Sequence, residues 1–273
     1  MTRLFSRWGL QTSFVDTTSP EAVNSAIRPE TKGIFIETPS NPLLRIIDLR
    51  AVASLAREKK ILGIADNTFA TPYLQRPLTH GFDIVVHSAT KFLNGHSDVL
   101  AGLAIVREQA LASQLRFIQN AFGAVLGVQD SWLLLRGIKT LAVRMEACQA
   151  GAEAIAQRLQ NFPHVRRVYY PGLENHPGKN VHDSQAAGPG AVVSFELENA
   201  EYACRLLKNV TLPLVSVSLG GVETILSHPA TMSHAAMPPQ EREARGIRDS
   251  LVRLSVGLES PEDIVSDLMQ ALA

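Results

Sequence analysis

From residue 33 to about residue 106, short apolar runs alternate with amphipathic segments, and no other feature of this chain constrains its fold as much. Strand, helix, strand in repetition is the grammar of a parallel sheet with crossover helices, so the stretch predicts an α/β fold. GIFIE (33–37), ILGIAD (61–66) and DIVVHS (83–88) read as buried strands, and GLAIV (102–106) as a further one. Asp48 precedes Leu49, Val52, Leu55 and Ala56, apolar positions at helical spacing, and so caps a predicted helix. Another helix is predicted from Glu108 towards Asn120, while residues 67–81 read as a loop. Four strands are few for a complete doubly wound sheet.

Beyond the apolar stretch around Trp132 to Leu135, one long helix is expected over 137–159, and after Pro163 the grammar changes. VRRVYY (165–170), AVVSFEL (191–197) and LVRLSV (251–256) read as strands, interleaved with helices at 199–208 and 261–272. That arrangement predicts a smaller α+β unit, with 171–190 and 227–246 as long loops. The expected division is 1–136 and 137–273.

Composition excludes several classes of function. The chain carries 26 Lys+Arg against 26 Asp+Glu, dispersed among one another, so it lacks the clustered cations that nucleic-acid binding requires. With 45% hydrophobic and 19% charged residues it is ordinary globular material. Cys148 and Cys204 sit in apolar helical runs without metal-knuckle spacing and are expected to be buried free thiols in a reducing compartment. The opening segment MTRLFSRWGLQTSF has no apolar core, and no run reaches membrane-spanning length, so a cytoplasmic protein without a membrane partner is expected. The eight histidines, His80, His87, His96, His228 and His234 among them, show no zinc spacing, and no metal is expected. No dinucleotide fingerprint follows a strand, and no Walker-type loop occurs.

Chemistry gathers between Asp66 and Asp98. Functional groups in a parallel sheet collect at the carboxyl ends of strands, and Asp66, Ser88, Thr90 and Lys91 all follow directly on apolar runs. A lysine in such a turn can be partly desolvated, which lowers its pKa and frees the amine for attack on a carbonyl. Pyridoxal phosphate needs that lysine together with a carboxylate facing its pyridine nitrogen, a role open to Asp66. Ser88 and Thr90 offer hydroxyls and backbone donors to a phosphate. Taken singly, each has a plainer reading: a solvated strand-capping lysine, a turn aspartate, ordinary turn hydroxyls.

Taken together, ETPSNP (37–42), ADNTFATP (65–72), HSATKFLNGHSDVLAG (87–102) and SLGGVETILSHPATMSH (218–234) resemble the transsulfuration enzymes, the Cys/Met-metabolism group of pyridoxal phosphate proteins. FGAVLGVQDSWLLLRGIKTLAVRME (122–146), YYPGL (169–173), RGI (245–247) and RLSVG (253–257) carry the likeness nearly end to end. The resemblance implies pyridoxal phosphate fold type I, an aspartate-aminotransferase-like large domain with a mostly parallel sheet, plus a smaller α+β domain. It makes Lys91 the Schiff-base lysine, Asp66 the partner of the pyridine nitrogen, and Ser88 and Thr90 phosphate ligands. Asn41 would lie near the cofactor's phenolic oxygen and the substrate carboxylate. Arg253 would clamp that carboxylate, and Ser218 would touch the lysine or the carboxylate. Asn41, Arg253 and Ser218 alone read as an Asx turn, a surface ion pair and a loop hydroxyl. Gly220 and Gly221 permit a tight turn beside the substrate.

The implied substrate is a sulfur amino acid, cystathionine or an O-acyl-homoserine, and the nearest group is bacterial cystathionine β-lyases. Cystathionine γ-synthase, O-acetylhomoserine sulfhydrylase and methionine γ-lyase share the motifs. Val217 leans towards β-lyase, because γ-acting relatives that read cystathionine's distal amine often carry an acidic residue there. The resemblance also implies a homotetramer. It sets TRLFSRWG in the middle of the family's large domain, so the chain is expected to be N-terminally truncated. The glycine-rich phosphate loop, the ring-stacking tyrosine and a Tyr/Arg pair lent between subunits are then absent. Weak cofactor binding and weak or absent activity would follow, and a non-catalytic remnant pairing with another subunit is the reading from a different class.

Overall fold

A computed structural model describes residues 4–273; the arginine at position 3 of the opening segment lies outside them. In chain order the elements begin with α1 (Pro20–Ala26), β1 (Gly33–Glu37), α2 (Leu49–Glu58), β2 (Leu62–Asp66), α3 (Thr71–Leu74), β3 (Ile84–Ser88) and β4 (Gly102–Val106). There follow α4 (Gln109–Phe122), α5 (Val128–Ile138), α6 (Leu141–Leu159), β5 (Val165–Tyr169), α7 (Lys179–Gln185) and β6 (Val192–Leu197). The chain closes with α8 (Ala200–Asn209), β7 (Leu214–Val215), β8 (Ile225–Ser227), α9 (Pro239–Ala244), β9 (Leu251–Ser255) and α10 (Pro261–Leu272).

The first sheet runs β1-β2-β3-β4. β1, β2 and β3 are parallel, as the crossover helix requires, whereas β4 runs antiparallel to β3 with Ser88 opposite Gly102. The sheet is thus mostly parallel: the 89–101 connection is too irregular to be a crossover helix, so GLAIV returns as an antiparallel strand. Asp48 caps α2 as expected, accepting from Ala51 N at 2.9 Å. The apolar stripe of α2, Leu49, Val52, Ala53 and Ala56, packs on Ile34, Ile36 and Ala65 of β1 and β2.

The second sheet has the order β5-β6-β9-β8-β7 and is antiparallel except for β7 against β8. Helices α6, α8 and α10 cover it, with Ile155, Leu159, Leu206, Ile264 and Leu268 packed on Phe195, Leu197, Val252 and Leu254. A third cluster lies around the Lys91 turn, where Phe92, Leu93 and Ala89 meet Leu134, Met145, Cys148 and Leu219. It fixes the turn from behind.

Several expectations need correction. The helix expected over 137–159 starts at Leu141, because the chain turns at Lys139 and Thr140 after the end of α5. The 67–81, 171–190 and 227–246 stretches hold α3, α7 and α9 rather than loop alone, and the short strands β7 and β8 carry too little periodic sequence to signal themselves. Cys148 is buried, but Cys204 is exposed on the outer side of α8.

Candidate active site

Two segments distant in sequence meet at the carboxyl end of the first sheet. β3 delivers the chain into the turn that carries Thr90 and Lys91, closed by Lys91 N donating to Ser88 O at 3.1 Å and Gly95 N donating to Lys91 O at 2.8 Å. Lys91 Nζ donates to Ser218 Oγ at 2.6 Å. Burial lowers the pKa of the Lys91 amine, and the charge of Arg253 lowers it further. Such an amine is unprotonated more often than an exposed lysine, as carbonyl attack requires.

The close approach depends on the glycine two residues after Ser218. Gly220 has φ +79°, and a Cβ there would stand 2.5 Å from Phe92 N and 3.0 Å from Lys91 C. Ser218 itself sits at φ +88°, a region L-residues other than glycine rarely occupy. Both ends of its residue are held, the hydroxyl by Lys91 and the carbonyl by Arg253.

Arg253 occupies the centre of β9 and is only 2% exposed. Its Nη1 donates to Asn41 Oδ1 at 2.7 Å, while Nη2 donates to Ser218 O at 2.6 Å and Ser227 Oγ at 3.2 Å. Burial brings its pKa down to about 10, against the opposing pull of Glu37, so it remains a cation at neutral pH. Its buried Nε has no protein partner among the described residues. A desolvated guanidinium held by neutral oxygens is a counter-ion site for a carboxylate.

Asp66 ends β2, and its Oδ1 accepts from Thr68 N at 3.0 Å and Thr68 Oγ1 at 2.6 Å. Thr68 Oγ1 in turn accepts from Ser88 N at 2.8 Å, joining the ends of β2 and β3. Thr90 differs from expectation in part: its hydroxyl accepts from Ala101 N at 2.9 Å and contacts Ala101 O at 3.3 Å, so it also closes the turn. The Ser88 hydroxyl makes no hydrogen bond among the described residues.

The structure thus brings Lys91, Ser218, Arg253 and Asn41 into one bonded set and places Asp66 and Ser88 on neighbouring strand ends, with Thr90 in the turn that follows. Sequence reasoning missed Glu37, Thr68 and Ser227. Glu37 stands in register beside Asp66, accepts from Asn41 N at 3.3 Å, and has its pKa raised by burial, then by Asp66, to about 7. It ends an apolar strand as Asp66 does, so the strand-end rule that selected Asp66 could also have selected it. Ser227 left no such signal.

This donor set suits pyridoxal phosphate: an amine of lowered pKa for the carbonyl, a carboxylate with its Oδ2 left for the ring nitrogen, and a free hydroxyl with turn amides for the phosphate. A fold type I enzyme that uses pyridoxal phosphate on an amino acid is the class defined by these groups at the edge of an α/β sheet. The match to known proteins is specific. The family described as Cys/Met metabolism PLP-dependent enzyme matches residues 1–273, and the chain belongs to that family. A cystathionine beta-lyase of Bacillus subtilis (strain 168) is 58% identical over 272 residues, covering 100% of this chain and 70% of the relative. A cystathionine gamma-lyase of the same strain is 51% identical, with 72% of its length covered. The crystal structure of cystathionine gamma-lyase from Lactobacillus plantarum complexed with L-serine superposes with a TM-score of 0.95 at 43% identity, over 98% of this chain and 70% of that one.

Proposed function

We propose that the chain is a carbon–sulfur lyase of the cystathionine β-lyase type, converting cystathionine and water to homocysteine, pyruvate and ammonia. The observation that carries this reading is the Lys91–Ser218–Arg253–Asn41 set, which puts a proton-accepting amine beside a carboxylate site. Pyridoxal phosphate, when bound, supplies the electron sink for the substrate's α-carbon. Arg253 receives the α-carboxylate through its planar fork and Asn41 holds that fork in place, which fixes the Cα–H bond relative to Lys91. The Lys91 amine takes the α-proton, with Ser218 Oγ steadying the ammonium that results. Asp66 would hold the proton on the ring nitrogen and Ser88 and Thr90 would hold the phosphate when the cofactor is bound, and the thiolate would depart from the β-carbon.

A γ-acting reading that relies on cystathionine's distal amine, as in cystathionine γ-synthase, is disfavoured by Val217, an exposed apolar side chain immediately before Ser218, whereas O-acetylhomoserine sulfhydrylase and methionine γ-lyase stand as the alternatives. Products separate the readings. β-elimination from cystathionine releases pyruvate, whereas γ-elimination releases the four-carbon oxo acid. Incubation of the purified chain with pyridoxal phosphate and L-cystathionine is expected to yield pyruvate and a thiol in at most small amounts, with neither from Lys91→Ala. The four-carbon acid would reassign the reaction, and cofactor binding without any product would favour the non-catalytic remnant. The same reading divides the chain into a cofactor-binding part, 1–136, and a C-terminal part, 137–273, assembled as a homotetramer in the cytoplasm, where two free thiols stay reduced.

A further inference from the structure

β9 carries Arg253 and Ser255 two positions apart, so both side chains lie on one face of the strand. Both are buried, Arg253 at 2% and Ser255 at 0% exposure. Arg253 Nη2 donates to Ser218 O at 2.6 Å, and Ser255 Oγ accepts from Gly220 N at 2.8 Å. The two side chains thus grip the two ends of one short stretch, Ser218 to Gly220. Arg253 has a second task in the proposed reaction, the substrate carboxylate, whereas the Ser255 oxygen is given to this stretch.

That stretch does not hold itself. Ser218 and Gly220 both have left-handed φ, +88° and +79°, and Leu219 between them is buried in the cluster behind the Lys91 turn. A serine keeps such a φ only where its surroundings over-determine it. The chain on either side is fastened elsewhere. Ser216 N donates to Leu226 O at 3.2 Å, and Ser216 O accepts from Ser227 Oγ at 2.7 Å. Thr224 donates from N and from Oγ1 to the two carboxylate oxygens of Glu259, each at 2.7 Å, and Leu258 N donates to Val222 O at 2.8 Å. Between these anchors, the bond from Gly220 N to Ser255 sets how closely the Ser218 hydroxyl approaches Lys91.

We propose that Ser255 is a positioning residue for the amine chemistry of Lys91: by fixing Gly220 N it keeps Ser218 seated on Lys91 Nζ and keeps water away from it. The inference rests on the lyase reading and names a residue through which that site is held. Without the Ser255 oxygen, Gly220 N is left buried and unpaired, and the stretch relaxes away from Phe92 and Lys91 towards water. Two effects on the amine then oppose each other. Entering water raises its pKa, while loss of the Ser218 acceptor, which favours the ammonium form, lowers it. Burial is the larger influence at this lysine, so the net change is upward. Arg253 is the charged group acting on the amine and stays on β9, and residues 218–220 bring no charge of their own.

Trace acetylation of the cofactor-free chain with acetic anhydride, read peptide by peptide by mass spectrometry across a pH series, gives the midpoint at which Lys91 becomes reactive. The wild-type midpoint is expected below the ordinary lysine range, and Ser255→Ala should raise it by at least about half a pH unit. Thr211→Val, which breaks the bond from Thr211 to Asp267 of α10, controls for lost stability and should leave the midpoint where it was. Ser255→Ala removes one oxygen and adds no bulk, so it should fold, and circular dichroism checks that it does. If it unfolds, Ser255→Cys, of similar shape and weaker as an acceptor, carries the same comparison. A midpoint unmoved by loss of the Ser255 hydroxyl, or moved as far by Thr211→Val, would overturn the positioning role while the lyase reading stood. A wild-type Lys91 with an ordinary midpoint would also overturn it, and would remove the reactive amine on which the lyase reading depends.

Discussion

Arg253 makes three hydrogen bonds through two nitrogens, a pattern a lysine cannot copy, so Arg253→Lys should fold yet bind L-cystathionine at least about tenfold more weakly by titration. Retained affinity would show that the carboxylate sits elsewhere. Glu37 makes a prediction about pH. Its pKa in the folded chain, about 7, lies above the ordinary carboxylate value of 4.5, so the stabilising protonated form is complete below the unfolded value and is lost as pH rises through 7. From pH 6 to pH 8 this group alone should remove roughly 1 to 2 kcal/mol of stability. Urea unfolding of Glu37→Gln, which cannot ionise, should lack that part of the decline, and parallel pH profiles for variant and wild type would contradict it. At this scale the placement of the candidate residues was partly legible, because Asp66 ends an apolar strand and Lys91 lies in the turn just after another. What no spacing could give was the partnership of Lys91 with Ser218, 127 positions apart, which the family likeness left open between lysine and carboxylate.

Elements hold these residues in place through a buried clamp. Arg144 of α6 donates from Nη1 to Phe92 O at 2.8 Å and from Nη2 to Gly137 O at 2.9 Å, with Nε on Thr140 Oγ1 at 3.1 Å. It thereby ties the turn after Lys91 to the junction of α5 and α6. Arg144→Met should leave those carbonyls unsatisfied and cost about 3 kcal/mol, with faster hydrogen exchange at residues 92–95. Exchange unchanged there would mean that the turn is held by its own apolar contacts. Strands and long amphipathic helices could be read from the sequence because burial imposes a period on them. The direction of β4 could not, since an antiparallel edge strand and a parallel one share the same apolar run. Nor could α7, whose residues KNVHDSQ are mostly polar, or β7, which is two residues long.

The whole molecule presents an apolar surface that its own core does not use. No residue of α4 is buried, and Phe117, Phe122, Val128, Trp132 and Leu135 along α4 and α5 are all more than half exposed. A patch of this kind marks an interface, in keeping with the proposed tetramer. Sedimentation should therefore find the chain associated, and Phe117→Glu with Leu135→Glu should dissociate it; a monomeric wild type would contradict this. The Lys91 turn is the proposed seat of the cofactor. Borohydride reduction of the purified chain in pyridoxal phosphate, followed by peptide mass analysis, tests it most directly. The expected result is the mass of the reduced cofactor on the peptide bearing Lys91, absent from Lys91→Ala. Label on another lysine, or none at all, would contradict it.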